Sequence, residues 1–395
     1  MKLELIATAT FGLEAVVRRE IEKLGYTVVR TEDGKVTYSA DERGIVRSNL
    51  WLRSADRVYL RLAEFDAHTF EDLFQQIKAM NWEQWIPMDG AFPVVGTSVK
   101  SDLHSVPSCQ SIIKKAIVSR LSEFYCISHF EETGAEYRVR FTILKNHVTV
   151  MLDTSGAGLH KRGYRVKDVA APMKETLAAA LVQLSFWRDG TIKVHSANST
   201  DLGEQFAPRL LVDTCCGSGT IPIEAALIAR NIAPGLNRSF ASETWEWIPS
   251  GLWKEERKSA YQAVDYEKEL EIKGFDIDAR AIDAARANAE EAGVGEDIRF
   301  SKMDMKKLRA EEDWGMIITN PPYGERIGSA DKIQDIYEKF KEILENKPTW
   351  SLFVITTDKK LEDAVGRKAD RRRKLYNGRL ETQYYQFHSV KPSKK

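Results

Sequence analysis

From Leu210 onward the chain alternates two patterns, and that alternation constrains the fold more than any other feature of its 395 residues. LLVDTCC and EIKGFDID read as strands, and each is followed by a helical stretch, IPIEAALIARNI and ARAIDAARANAEEAG. DIRFSKMD and GMIITNPP are two further strands. Strands alternating with helices predict an α/β fold, a Rossmann-like doubly wound and mostly parallel sheet. Such sheets bind ligands beyond the carboxyl ends of their strands, where the strand order reverses. The segment NIAPGLNRSFASETWEWIPSGLWKEERKS interrupts the first crossover and holds Trp245, Trp247 and Trp253.

The first half has a different rhythm. MKLELIAT is a strand, GLEAVVRREIEKLG a helix ended by Gly25, and YTVVRTEDGKVTYSA a hairpin turning at Asp33-Gly34. Beyond residue 66 come an aromatic helix (FEDLFQQIKAMNWEQWI), a strand (FPVVGTSV), a second helix (SCQSIIKKAIVSRLSEF) and two more strands. This α+β part carries Lys100, Lys114, Lys115 and Arg120 as surface cations. The Gly-rich DTSGAGLHKRGYR near residue 160 is the best boundary. The reading is three modules: residues 1–65, 66–165 and 166–395.

Charge narrows the function. Basic and acidic residues number 58 each, which excludes a globally basic binder and an acidic disordered chain. The neutral total hides a net −9 over residues 166–366 and a net +8 over residues 367–395. In that basic tail Arg367, Lys368, Arg371, Arg372, Arg373 and Lys374 precede Tyr376, the turn signal Asn377-Gly378 and the strand-like ETQYYQFHSV. A basic, aromatic hairpin favours contact with nucleic acid. Four cysteines without a CxxC pair predict neither a disulfide framework nor a metal site. No run of about 18 apolar residues and no signal peptide is present, so a cytoplasmic protein without membrane association is expected.

Four strand ends carry chemistry. Asp213-Thr214-Cys215-Cys216-Gly217-Ser218-Gly219-Thr220 is a strand-to-helix turn whose glycines let backbone approach a ligand, and it lacks the Gly-Lys-Ser/Thr of a phosphate loop. Gly274-Phe275-Asp276-Ile277-Asp278 ends the next strand. One of its acids suits ribose hydroxyls and the other a helix N-cap. Asp304, after the third strand, suits an adenine amine. The sharpest signal is Asn320-Pro321-Pro322-Tyr323 after the apolar GMIIT. Two prolines fix a backbone that continues neither strand nor helix. They leave an amide acceptor, a rigid carbonyl and an aromatic face, which fit a flat base with an exocyclic amine. His195 reads as a surface residue.

With these motifs in this order, the chain resembles the class I S-adenosylmethionine-dependent methyltransferases that act on amino groups. The longer Asn320-Pro321-Pro322-Tyr323-Gly324-Glu325-Arg326 resembles the ribosomal RNA guanine-N2 branch, whose members carry an N-terminal THUMP domain. Lys161-Arg162-Gly163-Tyr164-Arg165, Ala171-Pro172-Met173-Lys174-Glu175-Thr176-Leu177, Phe11-Gly12-Leu13-Glu14 and Leu375-Tyr376-Asn377-Gly378 fit the same family. The chain departs from the family at Thr214, where a proline is usual, and in the long stretch from Arg188 to Arg209.

The resemblance implies a ferredoxin-like module at 1–65, an RNA-gripping THUMP module at 66–165 and the methyltransferase at 166–395. It implies S-adenosyl-L-methionine as cofactor. Asp213, Gly217, Ser218 and Gly219 would serve its methionine part, with Pro172 and Glu175 nearby, Asp276 its ribose and Asp304 its adenine. Asn320, Pro321, Pro322 and Tyr323 would hold the target base, and no metal is expected. Glu325 and Arg326 suit the N1–H and O6 of guanine. The implied partner is RNA, 23S ribosomal RNA or a large-subunit assembly intermediate. The rival readings are an adenine-N6 DNA methyltransferase and a non-catalytic RNA-binding protein.

Overall fold

A computed structural model describes residues 1–390 apart from 168, 170–171, 186, 188–189, 195–204 and 323–329. The chain forms two compact units. The first comprises residues 1–8, 18–159 and 239–258, the second residues 9–17, 160–238 and 259–395.

The lead region runs β1 (Leu3–Ala9), α1 (Glu14–Lys23), β2 (Thr27–Glu32), β3 (Lys35–Ala40), α2 (Glu42–Trp51), β4 (Ala55–Asp66), α3 (Phe70–Lys78), β5 (Val94–Val99), α4 (Val106–Tyr125), β6 (Val139–Leu144) and β7 (His147–Asp153). Its strands make one sheet in the order β2-β3-β1-β4-β7-β6-β5. The twelve-residue β4 joins its two halves, pairing antiparallel with β7 from Tyr59↔Asp153 to Asp66↔His147. The segment that interrupts the later crossover packs into this first unit. Trp245 stacks on Tyr137 at 5.2 Å and donates its indole N–H to the Glu136 carbonyl, while Trp247 stands edge-on to Trp85. The three tryptophans therefore serve packing, with Trp253 stacked on Phe240.

The second region continues α5 (Glu175–Leu184), the antiparallel ribbon of β8 (Thr191–Val194) and β9 (Gln205–Pro208), β10 (Leu211–Asp213), α6 (Thr220–Ala229), α7 (Leu252–Gln262), β11 (Ile272–Asp276), α8 (Ala279–Glu291), β12 (Ile298–Lys302), β13 (Met316–Thr319), α9 (Ala330–Asn346), β14 (Ser351–Thr356), α10 (Leu361–Val365), β15 (Arg371–Asn377) and β16 (Leu380–Phe387). The sheet order is β12-β11-β10-β13-β14-β16-β15, parallel from β12 to β14, with β16 antiparallel between β14 and β15. Every residue of β10, β13 and β14 is buried, as befits strands covered on both faces. Val212, Ile317, Leu352 and Val354 pack there with Tyr337, Phe340 and Trp350 in one apolar cluster. The chain leaves β10 toward β11 and β12, then returns to β13 on the other side, so the order reverses between β10 and β13. The Asn377-Gly378 signal does turn a hairpin, with Asn377 paired to Leu380. Among the described residues no helix is long and apolar enough to cross a membrane.

Candidate active site

Four neighbouring strands end in polar residues, and they end side by side. Asp213 closes β10, Asp276 closes β11, Asp304 lies two residues past β12, and Asn320 directly follows β13. At about 4.8 Å between strands, the row spans roughly 14 Å. All four line a cavity of about 490 Å³, together with Pro172, Met173, Cys215, Gly217, Ser218, Ile277, Met303, Pro321 and Pro322. That volume lies in the range of small-molecule sites.

The carboxylates differ in their surroundings. Asp276 Oδ2 accepts the Gly217 N–H at 3.0 Å and Oδ1 accepts the Asp278 N–H at 2.9 Å. Two backbone donors thus fix its orientation and leave further lone pairs free to face a ligand. Asp278 caps α8 through Arg280 N–H, which separates the two acids of that turn into one cap and one cavity residue. Asp304 Oδ1 accepts the Lys306 N–H at 3.0 Å, holding the short turn after β12. Asp213 is buried, and its Oδ1 accepts from the Thr319 hydroxyl at 2.8 Å and from the Cys215 N–H at 3.2 Å. Burial pushes its pKa up to about 7 against the pull of those donors, with the Asp276 charge adding to the rise. Burial also raises both neighbouring thiols, Cys215 and Cys216, so neither is an activated nucleophile.

The turn between β10 and α6 is held from behind. Arg165 donates to Ser218 Oγ at 2.8 Å, Thr220 Oγ1 at 3.1 Å, the Met173 carbonyl at 3.1 Å and Glu175 Oε1 at 2.8 Å. Asn288 Nδ2 donates to the Ser218 carbonyl, while its Oδ1 accepts from the N–H groups of Val166 and Lys167. Glu175 is therefore a buried support for Arg165, placed off the cavity wall, and burial raises its carboxyl pKa. Gly219 is also off the wall. With φ at +83°, it lies where a Cβ would come within 3.0 Å of Ala285 and Phe300, so its smallness serves helix packing. Gly217, at φ +52°, is on the wall as expected. Pro172 lines the cavity. Arg165, Asn288 and Thr319 are supports that strand-end reading does not find, because each acts across more than 50 residues of sequence. Ile277 between two acids, and Met303 and Met305 either side of Asp304, give the cavity its apolar wall.

Asn320 Oδ1 is buried and has no hydrogen-bond partner among the described residues. A buried amide oxygen left unpaired costs about 1–3 kcal/mol, so its place in the cavity wall suits a donor brought by a ligand. Tyr323, Gly324, Glu325, Arg326 and His195 lie outside the described residues. No group of three or more potential metal ligands occurs among the described residues.

A sheet whose order reverses at this row, with a match to a methyltransferase domain and a relative solved with SAH, makes the second unit an S-adenosylmethionine-dependent methyltransferase of class I. Residues 201–386 match the RMKL-like methyltransferase domain, residues 4–59 the RlmL ferredoxin-like domain and residues 67–153 the THUMP domain. YpsC of Bacillus subtilis (strain 168), a candidate RNA methyltransferase, is 47% identical over 100% of this chain and 98% of its own. The ribosomal RNA large subunit methyltransferase K/L of Cellvibrio japonicus (strain Ueda107) is 30% identical over 97% of this chain. This chain spans about half, 51%, of that protein's length. Among solved structures, SMU.472, a candidate methyltransferase in complex with SAH, is 40% identical over 99% of both chains with a TM-score of 0.90. A Listeria monocytogenes str. 4b F2365 structure described as a predicted N6-adenine-specific DNA methylase is 45% identical, over 99% of this chain and 97% of its own, with a TM-score of 0.89. The chain belongs to the THUMP-containing, RlmK/L-type family of RNA methyltransferases.

Proposed function

We propose that this enzyme methylates the exocyclic N2 of a guanine in 23S ribosomal RNA, free or in a large-subunit assembly intermediate. The orphaned Asn320 Oδ1 carries the reading, since a buried acceptor at the end of β13 is matched by an amine that arrives with the substrate. The K/L relative, a large-subunit ribosomal RNA methyltransferase, supports the RNA class. The division at residues 65 and 165 is part of the same reading and is supported by the three family matches.

When bound, S-adenosylmethionine supplies an electrophilic methyl group on a sulfonium. Asp276 would accept from the ribose hydroxyls, Asp304 from the adenine amine, and Asp213 would attract the ammonium end. Gly217 and Ser218 would border the methionine part, with Pro172 beside it. Asn320 Oδ1 and the Pro321 carbonyl would each accept one N–H of the target amine. That draws the nitrogen lone pair out of conjugation with the ring and aims it at the methyl. The methylated amine would carry positive charge. It then loses a proton to water, so no strong general base is needed. Pro322 stiffens the turn, Tyr323 would stack on the base, and a paired base must be flipped out to reach it.

An adenine N6 would fit the same two acceptors, and the description of the Listeria relative favours that second reading. Mass-spectrometric mapping of ribosomal RNA nucleosides from a strain lacking the protein separates them. The expected result is loss of N2-methylguanosine at one position of the large-subunit RNA. Intact N2-methylguanosine with loss of N6-methyladenosine would install the rival.

A further inference from the structure

The outer hairpin of the second unit's sheet has a feature that edge protection does not explain. β15 is an edge strand, and cations along an edge discourage pairing with other chains. Yet Phe11, 46% exposed, lies edge-on to Tyr376 near the tip, with ring centroids 6.1 Å apart. Gly12 seats that residue. At φ +90° it lies so close to β15 that a Cβ would sit 2.7 Å from the Lys374 carbonyl oxygen. Lys374 Nζ is 5.6 Å from the centre of the Tyr376 ring. The side chains of Arg371 and Arg379 are exposed and make no hydrogen bond or ion pair among the described residues, whereas Lys374 pairs with Glu381 and Arg372 with Glu362.

Strand register places this tip relative to the site. Thr319 is level with Val354, Val354 with Tyr385, and Tyr385 with Arg372. β15 runs in the same direction as β13, so Tyr376 stands four residues beyond that level, on the side where Asn320 emerges. Asn320 is one residue along from Thr319, so the offset is three residues, about 10 Å, and three strand spacings are about 14 Å, which puts the tip roughly 17 Å from Asn320. Six stacked nucleotides cover about that span at 3.4 Å each.

We infer that Phe11 and Tyr376, with Arg379 just past the turn and Arg371 five residues back at the start of β15, form a stacking platform for single-stranded RNA adjoining the nucleotide that enters the site. The inference rests on the reading of the enzyme as an RNA methyltransferase. Aromatic faces hold bases without regard to sequence, and the two unpaired cations meet phosphates.

Fluorescence anisotropy of the full chain with a labelled oligouridine and with unmodified large-subunit ribosomal RNA tests it. Phe11→Ala is expected to weaken binding about tenfold at an unchanged salt slope, and Phe11→Trp to restore it. Arg371→Glu with Arg379→Glu, both at exposed positions, is expected to reduce the salt slope by about 1.4. Affinity for S-adenosylhomocysteine should stay at the wild-type value in all three. Wild-type RNA affinity and salt slope in the Phe11→Ala and double-Glu proteins overturn the platform and leave the methyltransferase reading intact. A wild-type chain that binds neither RNA overturns both.

Discussion

Thr319 donates a 2.8 Å hydrogen bond to Asp213, and Thr214 donates to Thr319 Oγ1 at 3.2 Å, so a buried hydroxyl relay ties the end of β13 to the end of β10. Thr319 immediately precedes Asn320, and the relay therefore fixes Asn320 against the turn that lines the same cavity. The family's usual proline at position 214 has no hydroxyl to donate. Its replacement by threonine adds the first link of this relay.

Thr319→Val keeps the shape of the side chain and removes the donor. Asp213 keeps the Cys215 N–H but loses its second donor, and the buried Thr214 hydroxyl loses its acceptor, so the variant should lose about 1–3 kcal/mol of stability in chemical denaturation. Turnover should fall at least tenfold with cofactor affinity changed much less, and Thr319→Ser should recover most of both. Equal losses in turnover and cofactor affinity would show that Thr319 supports the cofactor turn rather than Asn320.

Asp213 predicts two opposite pH dependences. Its folded pKa of about 7 exceeds the unfolded value of about 3.9, so the folded chain holds more protons between those values. Stability of the cofactor-free enzyme should therefore fall as pH rises from about 4 to 7, by up to about 1.4 kcal/mol per unit from this group. Affinity for the cationic cofactor should instead rise as Asp213 ionises on passing through pH 7. Calorimetry in buffers of different ionisation enthalpy should detect proton release on binding near pH 7. Asp213→Asn should abolish both trends, and a wild-type affinity independent of pH from 5.5 to 8 would contradict the assignment.

Asp276→Ala should weaken S-adenosylhomocysteine binding by about 1.5–3 kcal/mol, the usual worth of a hydrogen bond to a charged group. Asp278→Ala should mainly cost its helix cap, about 1 kcal/mol of stability. Titration calorimetry and thermal denaturation of the two variants distinguish the roles. A reversed pattern would move the ribose to Asp278.

Arg165→Met strands Glu175 in a buried position, and removing one partner of such a pair costs about 3–5 kcal/mol. The melting temperature should drop accordingly. A double replacement, Arg165→Met with Glu175→Leu, should recover a large part of it. Failure of the second change to recover stability would show that the bonds to Ser218, Thr220 and Met173 dominate.

The strand-end acids were legible because β10 is a short apolar run with a polar stop and β11 and β12 alternate apolar and polar residues up to theirs, and position along a strand is local information. What lies behind them was not. Thr319 and Asp213 are 106 residues apart, and Asn288 and Ser218 are 70 apart, so no spacing rule connects them. A Cβ at Gly219 would crowd Ala285 and Phe300, and a turn sequence does not say which side of a glycine is crowded. Strand β4 was hidden for another reason. Its buried residues lack the period of two that marks a half-buried strand, because it lies mid-sheet between β1 and β7. The basic tail read correctly as a hairpin because Asn377-Gly378 is a local signal.

The central claim is that Asn320 presents the N2 amine of guanine to the methyl group. Tritium transfer from labelled S-adenosylmethionine to unmodified large-subunit ribosomal RNA, followed by nucleoside digestion, tests it most directly. The account predicts label in N2-methylguanosine with the wild-type enzyme, and none with Asn320→Ala at near-normal cofactor affinity. Label confined to N6-methyladenosine, or transfer to DNA alone, would contradict it.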